Sequence, residues 1–571
     1  MGLMTTALQI GRSALLSYQS ALQVVGNNIS NAGSAEYTRQ TPTLSPQMGA
    51  MLPEGFQAGA GVALIALRRN IDESLENRIR AGLSDQGSTT IERQALGRIE
   101  SVLNELSEYD LSTLLEKFFG AFSSLQNNPH DLSARGIVLN AGESLVQEIQ
   151  RQRTDVLALV DEINAQLVDL ARRADGLAGE IAALNVQVTE AEATGRGTAS
   201  ALRDQRDAKL RQLSEIVAIQ VRPQPNGSVN VYVGNEPLVQ AGITRGLTTT
   251  TEVRDGVQRV VVQFADDGGP VSVLGGQMGG LITARDTHSV GHLQDLDKLA
   301  VALIQEVNKV HSQGQGLVGV RLVTGTYAVR DAGAALNSAA AGLDLAPRNG
   351  SFQLTVTDTG TTPPASVTAT IHVDLDGIGS DTTLQSLVAA INGSASHVTA
   401  SVTADGRLQI SAEDGYEITF GEDSSNVLAA LGVNTFFSGS RAYDIAVNPV
   451  LSSDPSLLAA GRSRLPGDGT NAAAIARVGT TAADSLGGKS LVDFYNGVAG
   501  KIAVNGAAAN AGQQAAEVIL TSLQAQRESI SGVSLDEEAI QLIKYERAFQ
   551  GAARYITVVD QLIDEMLAIV R

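Results

Sequence analysis

Apolar positions are spaced most regularly at the two ends of the chain. From Leu542, steps of three and four residues reach Tyr545, Phe549, Ala552, Ile556, Val559, Ile563, Met566 and Val570, with no charge on the stripe. That period places all of them on one face of an α-helix. Asp536, Glu537, Lys544, Arg547, Arg554, Asp560, Asp564 and Glu565 occupy the remaining surface. Upstream, Gly532 breaks the chain, and Ser534 followed by Glu537 has the pattern of a capping box, whose hydroxyl and carboxylate satisfy free N–H groups of a first turn. The pattern predicts one helix from just after Ser534 to the last residue.

The start of the chain has the same spacing. Leu3, Ala7, Ile10, Ala14, Ser17, Ala21 and Val24 form a stripe, broadened by Met4, Leu8, Leu15, Leu22 and Val25, and Arg12 is the only charged residue before Glu36. An isolated helix with one apolar stripe loses more conformational entropy on ordering than the stripe recovers, so each seam needs a partner. The two terminal helices are expected to pair with each other and then with neighbouring molecules. The small side chains of Ala7, Ala14, Ser17 and Ala21 allow close approach.

Between the ends, residues 74–128 are helical in pattern, and Asn128-Pro129-His130-Asp131 turns the chain. A heptad grid follows on Ile149, Val156, Leu159, Ile163, Leu170, Ala174, Leu177, Ile181, Leu184, Val188 and Ala191, with gaps near Gln152 and Gln166. Gly195-Arg196-Gly197 closes it, and Ser200–Ile216 forms the next helix. Over 217–264 the period changes to two, with Val229, Val231 and Val233 on one side and Pro225-Asn226-Gly227 as a hairpin turn. A helix returns at Gly280–His311. From about 320 to 445, Thr, Ser, Val and Gly dominate; strands are expected at Ser351–Thr357, Ala365–Asp374 and Val398–Ser411, and a short helix at Thr383–Asn392. Residues 470–530 are helical again.

The predicted fold class is mainly α with inserted β domains: terminal coiled-coil helices, an elongated helical bundle and a β-rich outer domain. Residues 1–45 and 530–571 make the terminal assembly domain. Residues 46–319 and 446–529 make the helical body, with a β subregion at 217–280, and 320–445 the outer domain.

Composition narrows the function. The 571 residues carry a net charge of −20 with no basic stripe, which argues against nucleic-acid binding. Zero cysteine excludes disulfides and thiolate metal sites. No run reaches the length of a membrane span, and no basic segment followed by an apolar core marks an ordinary secretory signal.

After the first helix comes Gly26-Asn27-Asn28-Ile29-Ser30-Asn31, continuing to Tyr37-Thr38-Arg39-Gln40. Asn and Gly at this density end helices and hold turns. The segment resembles the signature of bacterial flagellar axial proteins (rod, hook and junction subunits) on Asn27, Asn28, Asn31, Tyr37, Arg39 and Gln40. Glu36 stands where that family usually has Gly, and Gly33 is the candidate to make the turn instead. The resemblance extends to Leu202–Val221, to Gly280–His311 and to the run from Glu528 to Glu538, and points to the junction subunits. It implies a structural subunit exported unfolded through the flagellar type III apparatus and built into a ring between hook and filament, outside the cell. Its termini would form the inner helical tube, with β domains facing outward. Implied partners are further copies of the chain, the hook protein, a second junction protein on the filament side and an export chaperone. The residues expected at the assembly interface are Leu3, Ala7, Ile10, Ala14, Asn27, Asn28, Asn31, Tyr37, Arg39, Leu542, Phe549, Ile556, Val559, Ile563 and Met566.

Two alternatives remain: a hook or distal rod subunit, which generally lacks a helical segment like 130–215, and a secreted β-rich adhesin resting on 320–445. Candidate chemistry is thin. Gly314-Gln315-Gly316-Leu317-Val318-Gly319 is a GxGxxG after a helix, not a strand, so it reads as a linker. His288 and His292 have zinc-like i, i+4 spacing, but no HExxH pattern or nearby third His accompanies them, and a solvated helix face is expected. Asp374-Leu375-Asp376-Gly377 resembles the start of a calcium loop without its closing Glu. No enzyme, cofactor or metal is expected.

Overall fold

The structure is a computed structural model describing residues 2–34, 36–51, 57–104, 110–193, 199–465 and 467–570. The chain starts with α1 (Gly2–Ser30) and an antiparallel hairpin of β1 (Gln40–Met51) and β2 (Gln57–Arg69). Four helices follow: α2 (Glu73–Leu103), α3 (Leu111–Leu125), α4 (Leu132–Glu192) and α5 (Ser200–Ile216). Strands β3 (Ile219–Pro223), β4 (Val229–Val233), β5 (Glu236–Gln240) and β6 (Ile243–Thr244) form one sheet; β7 (Leu247–Arg254) and β8 (Val257–Phe264) form another. Helix α6 (Gly276–Thr283) runs through a π-helical turn, Ala284–Ser289, into α7 (Val290–His311).

The β-rich stretch contains β9 (Leu322–Thr324), β10 (Gly350–Asp358), β11 (Ala365–Val373), α8 (Leu384–Ser394), β12 (Val398–Val402), β13 (Leu408–Ala412), β14 (Tyr416–Gly421) and α9 (Val427–Leu431). It forms two three-stranded sheets, ordered β11-β10-β14 and β12-β13-β9. The short pieces β15 (Phe437–Ser438), β16 (Ala446–Val447), α10 (Pro449–Ser453) and α11 (Thr470–Val478) lead to α12 (Leu491–Ser531) and α13 (Leu535–Val570).

The chain divides into two compact units: residues 1–95, 161–284 and 508–571 in the first, 96–160 and 285–507 in the second. In the first, α4 holds the β subregion through two buried asparagines. Asn164 donates to the Gln258 carbonyl at 2.9 Å and accepts from the Val260 N–H at 3.0 Å. Asn185 donates to the Val229 carbonyl at 2.8 Å and accepts from its N–H at 3.0 Å. Each side-chain amide thus takes the place of a neighbouring strand and satisfies backbone groups that burial would otherwise leave unpaired. In the second unit Asn308 on α7 does the same for Phe436 and Phe437, and Asn392 on α8 for Ala400.

The core of the second unit's helical part is aromatic: Phe118, Phe122, Phe436 and Phe437 pack edge to face or tilted with ring centroids 4.7–5.6 Å apart. His311 is fully buried beside them; its Nδ1 bonds the Asn434 carbonyl at 2.8 Å and its Nε2 accepts from the Ala459 N–H at 3.1 Å, which requires the proton on Nδ1. The β-rich stretch has its own hydrophobic core, running from Val329 to Val433.

Several expectations change. Val398–Ser411 is not one strand: β12 and β13 pair antiparallel around a turn at Gly406, whose φ of +81° suits glycine and whose Thr403 hydroxyl bonds Asp405. Gln152 is no gap in the heptad grid; it is fully buried, donating to Glu148 and to the Tyr495 hydroxyl, whereas at Gln166 the stripe does step aside, to Leu167. His292 is buried instead of solvated. The β1–β2 hairpin is not among the expected elements; Pro42 and Pro46 lie in β1 and Gly59 in β2, residue types that sheets place at edges and bulges. Gly195-Arg196-Gly197 lies outside the described residues.

Candidate assembly interface

In the first unit α1 lies against α13 along the stripes that the spacing marked. Ala21, Val25 and Tyr545 form a buried cluster, flanked by Tyr18, Leu22, Leu44 and Leu542. Farther along, Gly11 meets Ile556 so closely that a Cβ built on Gly11 would lie 2.5 Å from Ile556 Cγ1. The hairpin covers α1 from another side: the Ser17 hydroxyl donates to the Val62 carbonyl at 2.9 Å, and a Cβ on Gly61 would strike Ser13. Small residues set the closeness of this packing, though Gly11, not marked by the stripe, is its tightest point.

The asparagine-rich signature closes the end of this pair. Asn28, 1 % exposed, sits in the last turn of α1. Its Nδ2 donates to Glu538 Oε2 and to the Gln40 carbonyl, both at 2.9 Å; its Oδ1 accepts from the Tyr37 hydroxyl at 2.8 Å and the Gln40 N–H at 3.1 Å. All four hydrogen-bonding capacities of that amide are thereby used. Arg39 Nε donates to the other oxygen of Glu538 at 2.8 Å, its second arm reaches Glu537, and its backbone N–H bonds the Ser531 carbonyl at 2.9 Å. Burial, with Asp204 and Glu538 nearby, pushes the Tyr37 hydroxyl up to about 12, so it remains a donor. Behind this clasp the Thr38 N–H faces Asp204, which with Asp207 on α5 holds Arg69 at the end of β2. A second clasp joins α2, α5 and α12: buried Glu76 accepts from Arg211 at 3.1 Å and from Arg527 at 2.8 Å.

The expected interface residues fall into three groups. Asn28 and Arg39 converge on Glu538, with Tyr37 donating to Asn28; Asn31 stays local, donating to the Asn27 carbonyl at 2.8 Å, and Asn27 is exposed. Ala7, Ile10, Ala14, Leu542, Phe549, Ile556 and Ile563 are half-buried and Val559 is buried, on the faces that the two helices share. Met566 is exposed, and the Leu3 side chain lies outside the described residues. The two stripes therefore largely cover each other within the chain. What stays uncovered on α13 is a different set: Leu535, Ile540, Ile543, Val558, Leu562 and Leu567, with Ile540 65 % and Val558 53 % exposed. The capping box is half formed, with the Glu537 N–H 3.5 Å from the Ser534 hydroxyl while its carboxylate turns to Arg39. Gly33 does not take a left-handed backbone, so it does not replace the family's glycine in that way. Sequence reasoning did not assign Glu538, Asp204, Arg69 or Gly11 to the interface; the cues for Glu538 were its place at the end of the Glu528–Glu538 run and one step after the capping box.

The model of the flagellar hook-associated protein FlgK helical domain matches residues 96–325, that of the flagellar basal body rod FlgEFG protein C-terminal region matches 524–569, which includes α13, and the flagellin hook IN motif matches 351–414 in the β-rich stretch. Flagellar hook-associated protein 1 of Escherichia coli strain K12 is 26 % identical, over 99 % of this chain and 100 % of its own. The protein of the same name from Bacillus subtilis strain 168 is 24 % identical, over 98 % and 97 %. A solved structure, the flagellar hook junction protein FlgK from Burkholderia pseudomallei, aligns with 80 % of this chain and 100 % of its own at 16 % identity and a TM-score of 0.49. Family matches at the helical body and the C-terminal helix, within likenesses that run from end to end, make the chain similar over its whole length to flagellar hook-associated protein 1.

Proposed function

We propose that this chain is a structural subunit of the bacterial flagellum that joins hook to filament, and that it assembles through the paired helices α1 and α13. The observation that carries the reading is the division of apolar surface on α13. One stripe is used against α1 and a second, Ile540, Ile543, Val558 and Leu562, is left open. An exposed apolar row on a helix already held in place by a buried clasp suits repeated heterologous contacts with further copies around an axis. The neighbours would be copies of the chain itself, the hook protein below and a second junction protein above, after export with a chaperone to the outside of the cell. A structural role accords with the relatives, which are named for association with the flagellar hook.

The test separates the two stripes. Val558→Asp should leave the melting temperature of the purified chain unchanged and abolish filaments in cells, because a charge there is hydrated until a neighbour covers it. Phe549→Asp should lower both. Normal motility with Val558→Asp would overturn the assignment of the open stripe.

A further inference from the structure

His288, His292 and Asp295 follow one another at steps of four and three across the junction between the π-helical turn and α7. π-Helical turns inside α-helices are frequent at functional sites. All three side chains line one cavity of about 20 Å³, together with Lys501 and Asn505 from α12. His292 is 2 % exposed, and neither Nδ1 nor Nε2 has a hydrogen-bond partner. That is unusual for a buried imidazole, which carries one N–H and one lone pair to satisfy. It contrasts with His311 in the same unit, where both nitrogens are bonded.

We propose that this face is a site for a divalent transition ion of the zinc class, with His292 as the fixed ligand, His288 and Asp295 as the mobile ones, and the Asn505 amide oxygen as the donor from α12. Imidazole and carboxylate at this spacing suit zinc, and the cavity has about the volume of one water. Among the described residues, the trio of acidic side chains whose donor atoms already lie within 4.8 Å of one another is Asp374, Asp376 and Asp381. Its carboxylates are hard oxygen donors on an open loop, Asp376 and Asp381 being occupied by Ile378 and Gly377 N–H groups, and no buried unsatisfied atom points to a ligand there. The histidine site must close instead by rotation of His288, half-exposed, and of Asp295, which now stands 3.4 Å from Lys298. An ion held this way would tie α7 to α12 inside the second unit.

The experiment uses the full chain, stripped with chelator, then titrated with Zn²⁺ in a thermal melt and with Co²⁺ in visible absorption. One equivalent of Zn²⁺ should raise the melting temperature, and Co²⁺ should develop the d–d bands of nitrogen and oxygen ligation. H288A should weaken binding by about tenfold or more, at the scale of lost metal-site interactions. K501Q, at an exposed position, should tighten it several-fold by removing a nearby cation. Absence of both signals in the wild type, or signals unchanged in H288A and K501Q, would overturn the site; the second result would place the ion elsewhere, with the Asp374 loop the first candidate.

Discussion

The Asn28 amide and the Glu538 carboxylate are 510 positions apart in sequence and 2.9 Å apart in space, both buried. Their hydrogen bond closes the chain on itself. Asn28 cannot be replaced by a residue that only fills its volume, because four separate groups depend on its two atoms.

Asn28→Ala should therefore destabilise the first unit by about 3 kcal/mol, the upper range for leaving buried partners unsatisfied when one is charged. Asn28→Asp should be worse, since it faces one carboxylate with another. Glu538→Gln in the Asn28→Asp background should recover part of the loss. A double-mutant cycle by denaturant unfolding measures this. Additivity of the two substitutions would show that the pair is not coupled.

Gly11 gives a sharper steric case. Gly→Ala inside a helix ordinarily stabilises by about 0.5–1 kcal/mol. Here the new Cβ would meet Ile556 Cγ1 at 2.5 Å, an atom close to the backbone that cannot swing away. Gly11→Ala should instead destabilise by about 1–2 kcal/mol, in the range of overpacking. Ile556→Ala should bring the double variant closer to the wild type than either single change predicts. Thermal melts of the three variants decide it, and a stabilised Gly11→Ala would mean that the helices are farther apart than described.

These residues also show where the sequence was readable. The α13 stripe was legible because Leu542 through Val559 keep a helical period without a charge, and the structure covers that face with α1. The open stripe was not, since Arg547 and Gly551 interrupt Ile540, Ile543, Tyr555 and Val558. Asn28 could be recognised as a turn residue by type and by family signature, but nothing local indicates a partner more than five hundred positions away. His292 was misjudged because i, i+4 spacing fixes which face a side chain lies on, and only packing decides whether that face meets water. Asn164 and Asn185 look polar and solvated in sequence, and become core residues because strands arrive with backbone groups to satisfy.

Acid should weaken the second unit through two histidines. Burial lowers His292 and His311 from 6.5 to about 4. The unfolded chain therefore binds more protons than the folded one between pH 6.5 and about 4, and stability falls as pH falls through that window. At 1.36 kcal/mol per unit, each group accounts for about 3 kcal/mol at most. Denaturant midpoints between pH 7 and pH 4, measured with chelator so that protons alone titrate, should decline accordingly, and His292→Leu should flatten about half of the slope. A midpoint independent of pH would show that neither ring is buried as a neutral base.

The β-rich stretch ends before Phe436. Its core runs from Val329 to Val433, whereas Phe436 and Phe437 pack with Phe118 and Phe122, and Asn308 bonds the backbone of both. The two ends of the stretch are near each other: the Asn434 amide donates to the Gly314 carbonyl at 2.9 Å. Removing 320–433 and joining the ends by a short flexible linker should leave the helical signal of the rest intact and its melting little changed. Removing 320–445 takes away Phe436, Phe437 and Asn434. It strips the aromatic core from Phe118 and Phe122 and leaves His311 Nδ1 without its acceptor. Losing either large aromatic from a core costs about 3–5 kcal/mol, so the longer excision should melt far lower or fail to fold. Far-ultraviolet circular dichroism of the two deletions, compared at equal temperature, provides the measurement. Equal stability of the two would show that these phenylalanines belong to the β-rich stretch and not to the helical body.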